Sequence, residues 1–156
     1  MSYCKFLALF VCFGCLLLPT GCGGDAKLSG LVPASGKLTL DDAPLAGAVI
    51  SFQPQSEGRS ATATTDAAGA FQVMTLSPND GIFPGDYNIT VTKSEIVGKT
   101  YTEAEIDDMI AKTGEGPKIE TKQVVPVKYL SADTSGLSVS VPSEGNKSIA
   151  LELKSK

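Results

Sequence analysis

The sequence predicts an all-β fold, an antiparallel β-sandwich of seven or eight strands with one short helix inserted in a long connection. Apolar and polar side chains alternate over several short segments, most clearly over residues 137–141 and 149–153, which is the pattern of half-buried strands. Gly, Pro, Asp and Asn fill the stretches between these segments, as is typical of the turns of a sandwich.

The first half of the domain contains four predicted strands, at residues 36–40, 47–52 and 61–65 and from Phe71 onward. We expect the second of these to be mostly buried, because it is a nearly continuous apolar run. Residues 66–69, Asp-Ala-Ala-Gly, predict a hairpin connection with Gly69 at positive φ. Asp41 and Asp42 interrupt the chain after the first strand, and we expect them to accept hydrogen bonds from nearby backbone N–H groups of the turn.

The second half begins with a strand that opens after Pro84. In it Tyr87, Ile89 and Val91 share one face. We expect Tyr87 in the core with its hydroxyl hydrogen-bonded at the sheet edge. Further strands are predicted at residues 123–125, 137–141 and 149–153.

Residues 93–122 interrupt the strand pattern and contain a predicted helix at about 103–112. Thr102 and Glu105 have the spacing of a capping box. Gly114 is placed to end the helix. The sequence therefore predicts one helix within a connection of 30 residues, a length at which connections are often functional.

The apolar stripe of this helix has two interpretations. An apolar stripe usually means burial, so we expect it to cover an open side of the sandwich. The alternative is a helix that docks a partner protein, with an acidic rim beside the stripe. The contacts would then be Tyr101, Ile106, Met109 and Ile110.

The N-terminus is predicted to be a secretory signal. Lys5 precedes an uncharged run of 13 residues, 6–18, which is too short to span a membrane and fits the apolar core of a signal peptide. Such a segment has three interpretations. It can be a signal that directs lipid attachment, as the next residues favour, an ordinary secretory signal without lipidation, or an anchor that is not cleaved.

The end of the signal resembles the lipobox of bacterial lipoproteins. Thr20, Gly21 and Cys22 match its pattern, whereas Pro19 stands where that family usually has Leu. The resemblance implies cleavage between Gly21 and Cys22 and attachment of a lipid to Cys22. The chain then divides into a signal peptide at 1–21, a tether at 22–32 and a sandwich domain at 33–156.

Composition excludes several kinds of site. The chain has no His and no Trp, and its 4 Cys all lie within the first 22 residues. Cys/His metal centres and nucleophiles activated by His therefore lack their residues. Adjacent carboxylates such as Asp107 and Asp108 point about 100° apart on a helix and do not converge. We expect no enzymatic activity, no metal and no cofactor.

Charge argues against nucleic acid as a ligand. Removal of residues 1–21 leaves 12 basic and 17 acidic side chains. Nucleic-acid binders need a clustered basic face, so we expect none to bind.

Four segments resemble carboxypeptidase regulatory-like domains. They are Gly36, residues 44–49 (Pro-Leu-Ala-Gly-Ala-Val), residues 65–71 (Thr-Asp-Ala-Ala-Gly-Ala-Phe) and residues 84–87 (Pro-Gly-Asp-Tyr). The resemblance covers about residues 33–92 and implies an immunoglobulin-like, transthyretin-like sandwich without peptidase activity. Residues 126–129 and 134–137 look like small bacterial lipoproteins that carry this domain.

These observations predict a lipid-anchored, non-catalytic module of the cell envelope, facing the periplasm or the cell surface. Its partners would be the membrane, through the lipid on Cys22, and an envelope protein. The alternative is a lipoprotein that binds a small molecule or glycan through the loops of the sandwich.

Replacing the acceptor of the lipid tests the anchoring prediction. We expect Cys22→Ser to move the protein from the membrane fraction to the soluble fraction. Ser lacks the thiol that would accept the lipid, and a stable anchor needs at least two acyl chains. Fractionation and immunoblotting measure the change. Membrane association equal to that of the unaltered chain would contradict the lipid-anchor interpretation.

Overall fold

The structure, a computed structural model, describes residues 28–156. The signal peptide, Gly21, Cys22 and the first part of the tether lie outside the described residues. The strands are β1 (Ala34–Leu40), β2 (Ala43–Pro44), β3 (Val49–Pro54), β4 (Ala61–Thr64), β5 (Ala70–Gln72), β6 (Gly85–Thr92), β7 (Ser94–Val97), β8 (Glu120–Gln123), β9 (Ser138–Val141) and β10 (Asn146–Leu153). The helices are α1 (Glu103–Thr113), a 3-10 turn (Val127–Leu130) and α2 (Ala132–Ser135).

Two sheets of four strands form the sandwich. In the first, β1 lies between β10 on one edge and β2 and β5 on the other. The second has the order β4-β3-β6-β9, with antiparallel pairing throughout. The first and last strands pair in parallel, with Leu38 opposite Leu151. The predicted all-β sandwich with one short helix is confirmed.

The core lies between the two sheets. Alternate residues of the central strands point into it, and Leu38, Ile50 and Ile89 are fully buried. The Phe52 ring packs at 6.3 Å from the Tyr87 ring, measured between centroids. The Tyr87 hydroxyl donates to the Phe83 carbonyl at 2.9 Å, so Tyr87 occupies the predicted position.

Two local predictions about the strands are wrong. Residues 47–52 are not mostly buried, because only Ala48, Ile50 and Phe52 are buried and Val49 points outward, 42% exposed. The strand expected at 123–125 ends at Gln123, and Val125 lies beyond it, buried in the core. Residues 66–69 do form a turn, with Gly69 at φ 72°. The two segments that the turn joins pair antiparallel, through mutual backbone hydrogen bonds of 2.8 Å between Thr62 and Met74, as a hairpin connection predicts, although β4 and β5 belong to different sheets.

Asp41 and Asp42 connect β1 to β2 with both residues in the left-handed region, at φ 50° and 67°. Their carboxylates bind the C-terminal segment and not the turn, contrary to expectation. The Ser155 N–H donates to Asp41 at 3.0 Å, and Lys154 Nζ lies 2.9 Å from the Asp42 carboxylate. The pKa of Asp41 is lowered, chiefly by the hydrogen bond from the Ser155 backbone N–H.

The sandwich has two distinct ends. The chain enters at one of them, where the Val32 N–H donates to the Ile82 carbonyl at 2.8 Å and the Asn146 N–H donates to the Pro33 carbonyl at 3.0 Å. We call this the entry end. The strand β1 carries the chain about 23 Å away, at about 3.3 Å per residue. The opposite end, where Leu40 lies beside Leu153, is called the far end.

The parallel contact between β1 and β10 predicts a requirement for glycine at Gly36. A Cβ there would collide with the backbone carbonyl of Ile149, so we expect Gly36→Ala to lower the free energy of unfolding by about 1–3 kcal/mol, the cost typical of overpacking. Urea denaturation measures the change.

Gly58→Ala is the matched control, because a Cβ at that position meets only the Pro54 ring, at 3.4 Å. Its effect should stay within about 0.5 kcal/mol. Equal stability of the two variants would contradict the close approach of the strands.

Candidate functional site

Residues 94–123 leave the sandwich as a separate arm. The hairpin of β7 and β8 forms its base, with Ser94 opposite Gln123 and Val97 opposite Glu120. The arm continues from β6, which runs from the entry end to the far end. The Val124 N–H donates to the Lys93 carbonyl at 2.9 Å, and the Ser94 hydroxyl donates to Gln123 Oε1 at 2.7 Å. These contacts fix the arm at the far end.

The helix α1 forms at the position that its capping residues predict. Thr102 Oγ1 accepts from the Glu105 N–H at 3.3 Å, and the Glu105 carboxylate accepts from the Thr102 N–H at 2.9 Å. Gly114 ends the helix at φ 76°, and its N–H donates to the Ile110 carbonyl at 2.8 Å. The predicted helix is confirmed, and it extends one residue further than expected, to Thr113.

Acidic residues dominate the N-terminal half of α1. The pKa of Glu105 is lowered, first by the hydrogen bond from the Thr102 N–H and then by Lys99. Lys99 Nζ lies 3.2 Å from the Glu105 carboxylate. Within the described part of the chain, Glu103 and Asp107 make no ion pair. The helix therefore presents unpaired negative charge.

The apolar stripe of α1 does not cover the sandwich, so that interpretation is wrong. Helix α1 contains no buried residue. Ile106 and Met109 are half-buried, and Ile110 is 46% exposed. The core of the sandwich contains none of the three. The physical reason is the hairpin, because it carries the helix off the far end and not back across a sheet.

Another segment covers the outer face of β6. The 3-10 turn and α2 lie against that strand. Thr90, which points away from the core, is consequently only 6% exposed. Tyr129 of the 3-10 turn is instead part of the buried core, and its hydroxyl accepts from the Lys154 N–H, just after β10, at 2.9 Å.

Tyr101 lies beside the start of α1 and is half-buried. Its ring stacks under Lys99, with the ammonium nitrogen 4.6 Å from the ring centroid. This is the geometry of a cation–π contact. One face of Tyr101 is therefore already engaged within the arm.

Sequence reasoning missed several exposed apolar residues of the arm and the segment that follows it. Of the nine large apolar side chains that are exposed between residues 28 and 156, six lie between residues 96 and 130. They are Ile96, Val97, Ile110, Ile119, Val127 and Leu130, of which only Ile110 was among the predicted contacts. The available signal was the placement of Ile96 and Ile119 among polar residues at the two ends of the insert.

The adjacent carboxylates Asp107 and Asp108 are both exposed on α1. Asp108 forms an ion pair with Lys112 at 2.6 Å, and Asp107 is exposed beside it. Over residues 28–156, no group of three His, Cys, Asp or Glu side chains is placed to hold a metal ion. Over the same residues, no helix has both the length and the apolar character needed to cross a membrane.

Comparisons with known proteins give little similarity. No family model and no curated protein matches the chain. A 9R-lipoxygenase from Cyanothece PCC8801 matches among the solved structures, at 12% identity and a TM-score of 0.36. The match covers 80% of this chain and 16% of the lipoxygenase, so the chain spans about a sixth of that protein. Similarity at this level supports no statement about activity.

Proposed function

We propose that this chain is a lipid-anchored, non-catalytic module of the bacterial cell envelope that presents its arm to a protein partner. The proposal rests on one observation, that the point where the chain enters and the point where the arm leaves lie at opposite ends of the sandwich. The chain enters at one end, and the arm leaves from the other.

The N-terminal sequence supports the anchor. The lipobox-like residues place the lipid on Cys22, eight residues before Gly30. Gly30 lies beside the Phe83 ring, at the entry end. Eight residues span at most about 28 Å. The entry end is therefore held close to the lipid surface.

The arm faces away from that surface on this arrangement. The length of β1 adds about 23 Å between the two ends.

The carboxypeptidase regulatory-like resemblance supports a role as a non-catalytic module. The arm defines the role more closely than the sandwich does, since a fold alone does not determine function.

The side chains exposed on the arm indicate what kind of surface its partner would have. Ile96 and Ile119 are more than half exposed, and exposed apolar groups collected in one region mark interaction sites. Glu103 and Asp107 add unpaired negative charge among the described residues. The partner would offer an apolar surface bordered by Lys or Arg side chains.

Site-specific photo-crosslinking in cells of the native source tests this proposal. A photoreactive residue replaces Ile110 on α1 or, as the matched control, Leu76, which is 51% exposed outside the arm. We expect one defined envelope protein to be captured from position 110 and not from position 76. Mass spectrometry identifies the product.

A variant with reversed charge on the arm tests whether capture depends on the acidic side chains of α1. Glu103→Lys combined with Asp107→Lys should reduce capture from position 110 severalfold, because like charges across an interface oppose association. Equal capture from both positions, or no capture from position 110, would contradict the proposed docking role.

A further inference from the structure

The outer face of the first sheet has a hollow with a volume of about 740 Å³, which lies across β5, β1 and β10. Its floor is low on both sides of Lys37 because the residues paired with Lys37 have small side chains, Ala70 in β5 and Ala150 in β10. A second hollow of about 240 Å³ adjoins it and shares Ser35 and Lys147. We call the two together the sheet groove.

The sheet groove carries excess positive charge. Lys37 and Lys147 line it, and both are exposed. Neither forms an ion pair with any residue between 28 and 156. Asp66 is the only carboxylate in the lining. Its Oδ1 already accepts from two backbone N–H groups, those of Ala68 and Ala70, at 2.8 and 2.9 Å.

This charge is notable because the chain as a whole is acidic, with a formal net charge of −4. Two lysines that form no ion pair within residues 28–156 outnumber the single carboxylate of the lining and are complementary to an anionic ligand. Gln72 and Asn79 line both hollows and supply amide groups that donate and accept hydrogen bonds. The groove therefore offers two cations together with neutral polar groups.

We propose that the sheet groove binds an acidic oligosaccharide, a sugar chain that bears carboxylate or sulfate groups. The lysines would pair with the anionic groups, and the amides of Gln72 and Asn79 would bind sugar hydroxyls. The two hollows adjoin through shared lining residues, and their combined volume suits a chain of several sugar units better than a single small molecule. This site is independent of the arm and extends the function beyond protein docking.

A membrane headgroup layer is a poorer occupant than a sugar chain. The floor of the groove is recessed, and a bilayer surface is flat on the scale of the groove. A flat surface would reach the lysine tips and leave the floor and the amide groups without contact. An inserted chain can contact all of them.

Binding measurements on the lipid-anchored full chain in phosphatidylcholine nanodiscs test the proposal. The probes are a hexamer of galacturonate, a heparin hexasaccharide and, as the uncharged control, a hexamer of galactose. Isothermal titration calorimetry at low salt gives the dissociation constants. We expect at least one acidic probe to bind and the neutral probe to bind at least tenfold more weakly.

Variants with equal loss of charge locate the site. Lys37→Gln with Lys147→Gln should raise the dissociation constant about fivefold or more, since two ion pairs are lost. Lys118→Gln with Lys122→Gln removes the same charge from two exposed lysines of the arm and should change it less than twofold. Lys37→Arg with Lys147→Arg should retain binding.

Three results would overturn the assignment. They are no binding of either acidic probe, equal weakening by both glutamine pairs, and equal binding of the neutral hexamer. A fourth result would show that the groove contacts a membrane surface and not a sugar chain. If the Cys22→Ser chain binds phosphatidylglycerol vesicles through Lys37 and Lys147 while the acidic sugars do not compete, the groove is a membrane contact and the proposal fails.

Discussion

The parallel pairing of β1 with β10 determines how both ends of the sandwich are arranged. It brings the first and last strands of the domain side by side, so that Pro33 and Asn146 meet at one end and Leu40 and Leu153 meet at the other. Gly36 permits the approach, because any side chain there would collide with the backbone of β10. The pairing therefore fixes where the chain enters the sandwich.

The position of the arm follows from this arrangement and from the direction of β6. The strand begins beside β9 near the entry end and pairs along β3 to Thr92 at the far end. The connection that follows does not pack on the outer face of β6, because the 3-10 turn and α2 already cover it. The insert consequently extends from the far end, and its helix keeps apolar side chains exposed.

Local signals predicted much of the fold. Strict alternation identified β6 and β10, and the pair of Thr102 and Glu105 identified the start of α1. These features depend on neighbours within a few residues, so one sequence contains them. The turn at Gly69 was predicted for the same reason.

Long-range features were not predictable in this way. The pairing of Gly36 with Ile149 joins residues more than a hundred positions apart, and no local pattern distinguishes a parallel partner from an antiparallel one. The exposure of Ile110 depends on where the hairpin carries the helix, and an apolar stripe has the same spacing whether it is buried or free. The sheet groove likewise depends on which small residues become neighbours across β5, β1 and β10.

Energy transfer between the protein and a bilayer tests most directly the claim that the anchor and the arm lie at opposite ends. All native cysteines lie at or before Cys22, so a single introduced thiol carries the donor dye. Ser143→Cys places it beside the entry end, and Glu120→Cys places it at the outer end of the arm hairpin. With acceptor dye on the lipid headgroups, we predict clearly stronger transfer from position 143 than from position 120. Equal transfer, or stronger transfer from position 120, would contradict the account.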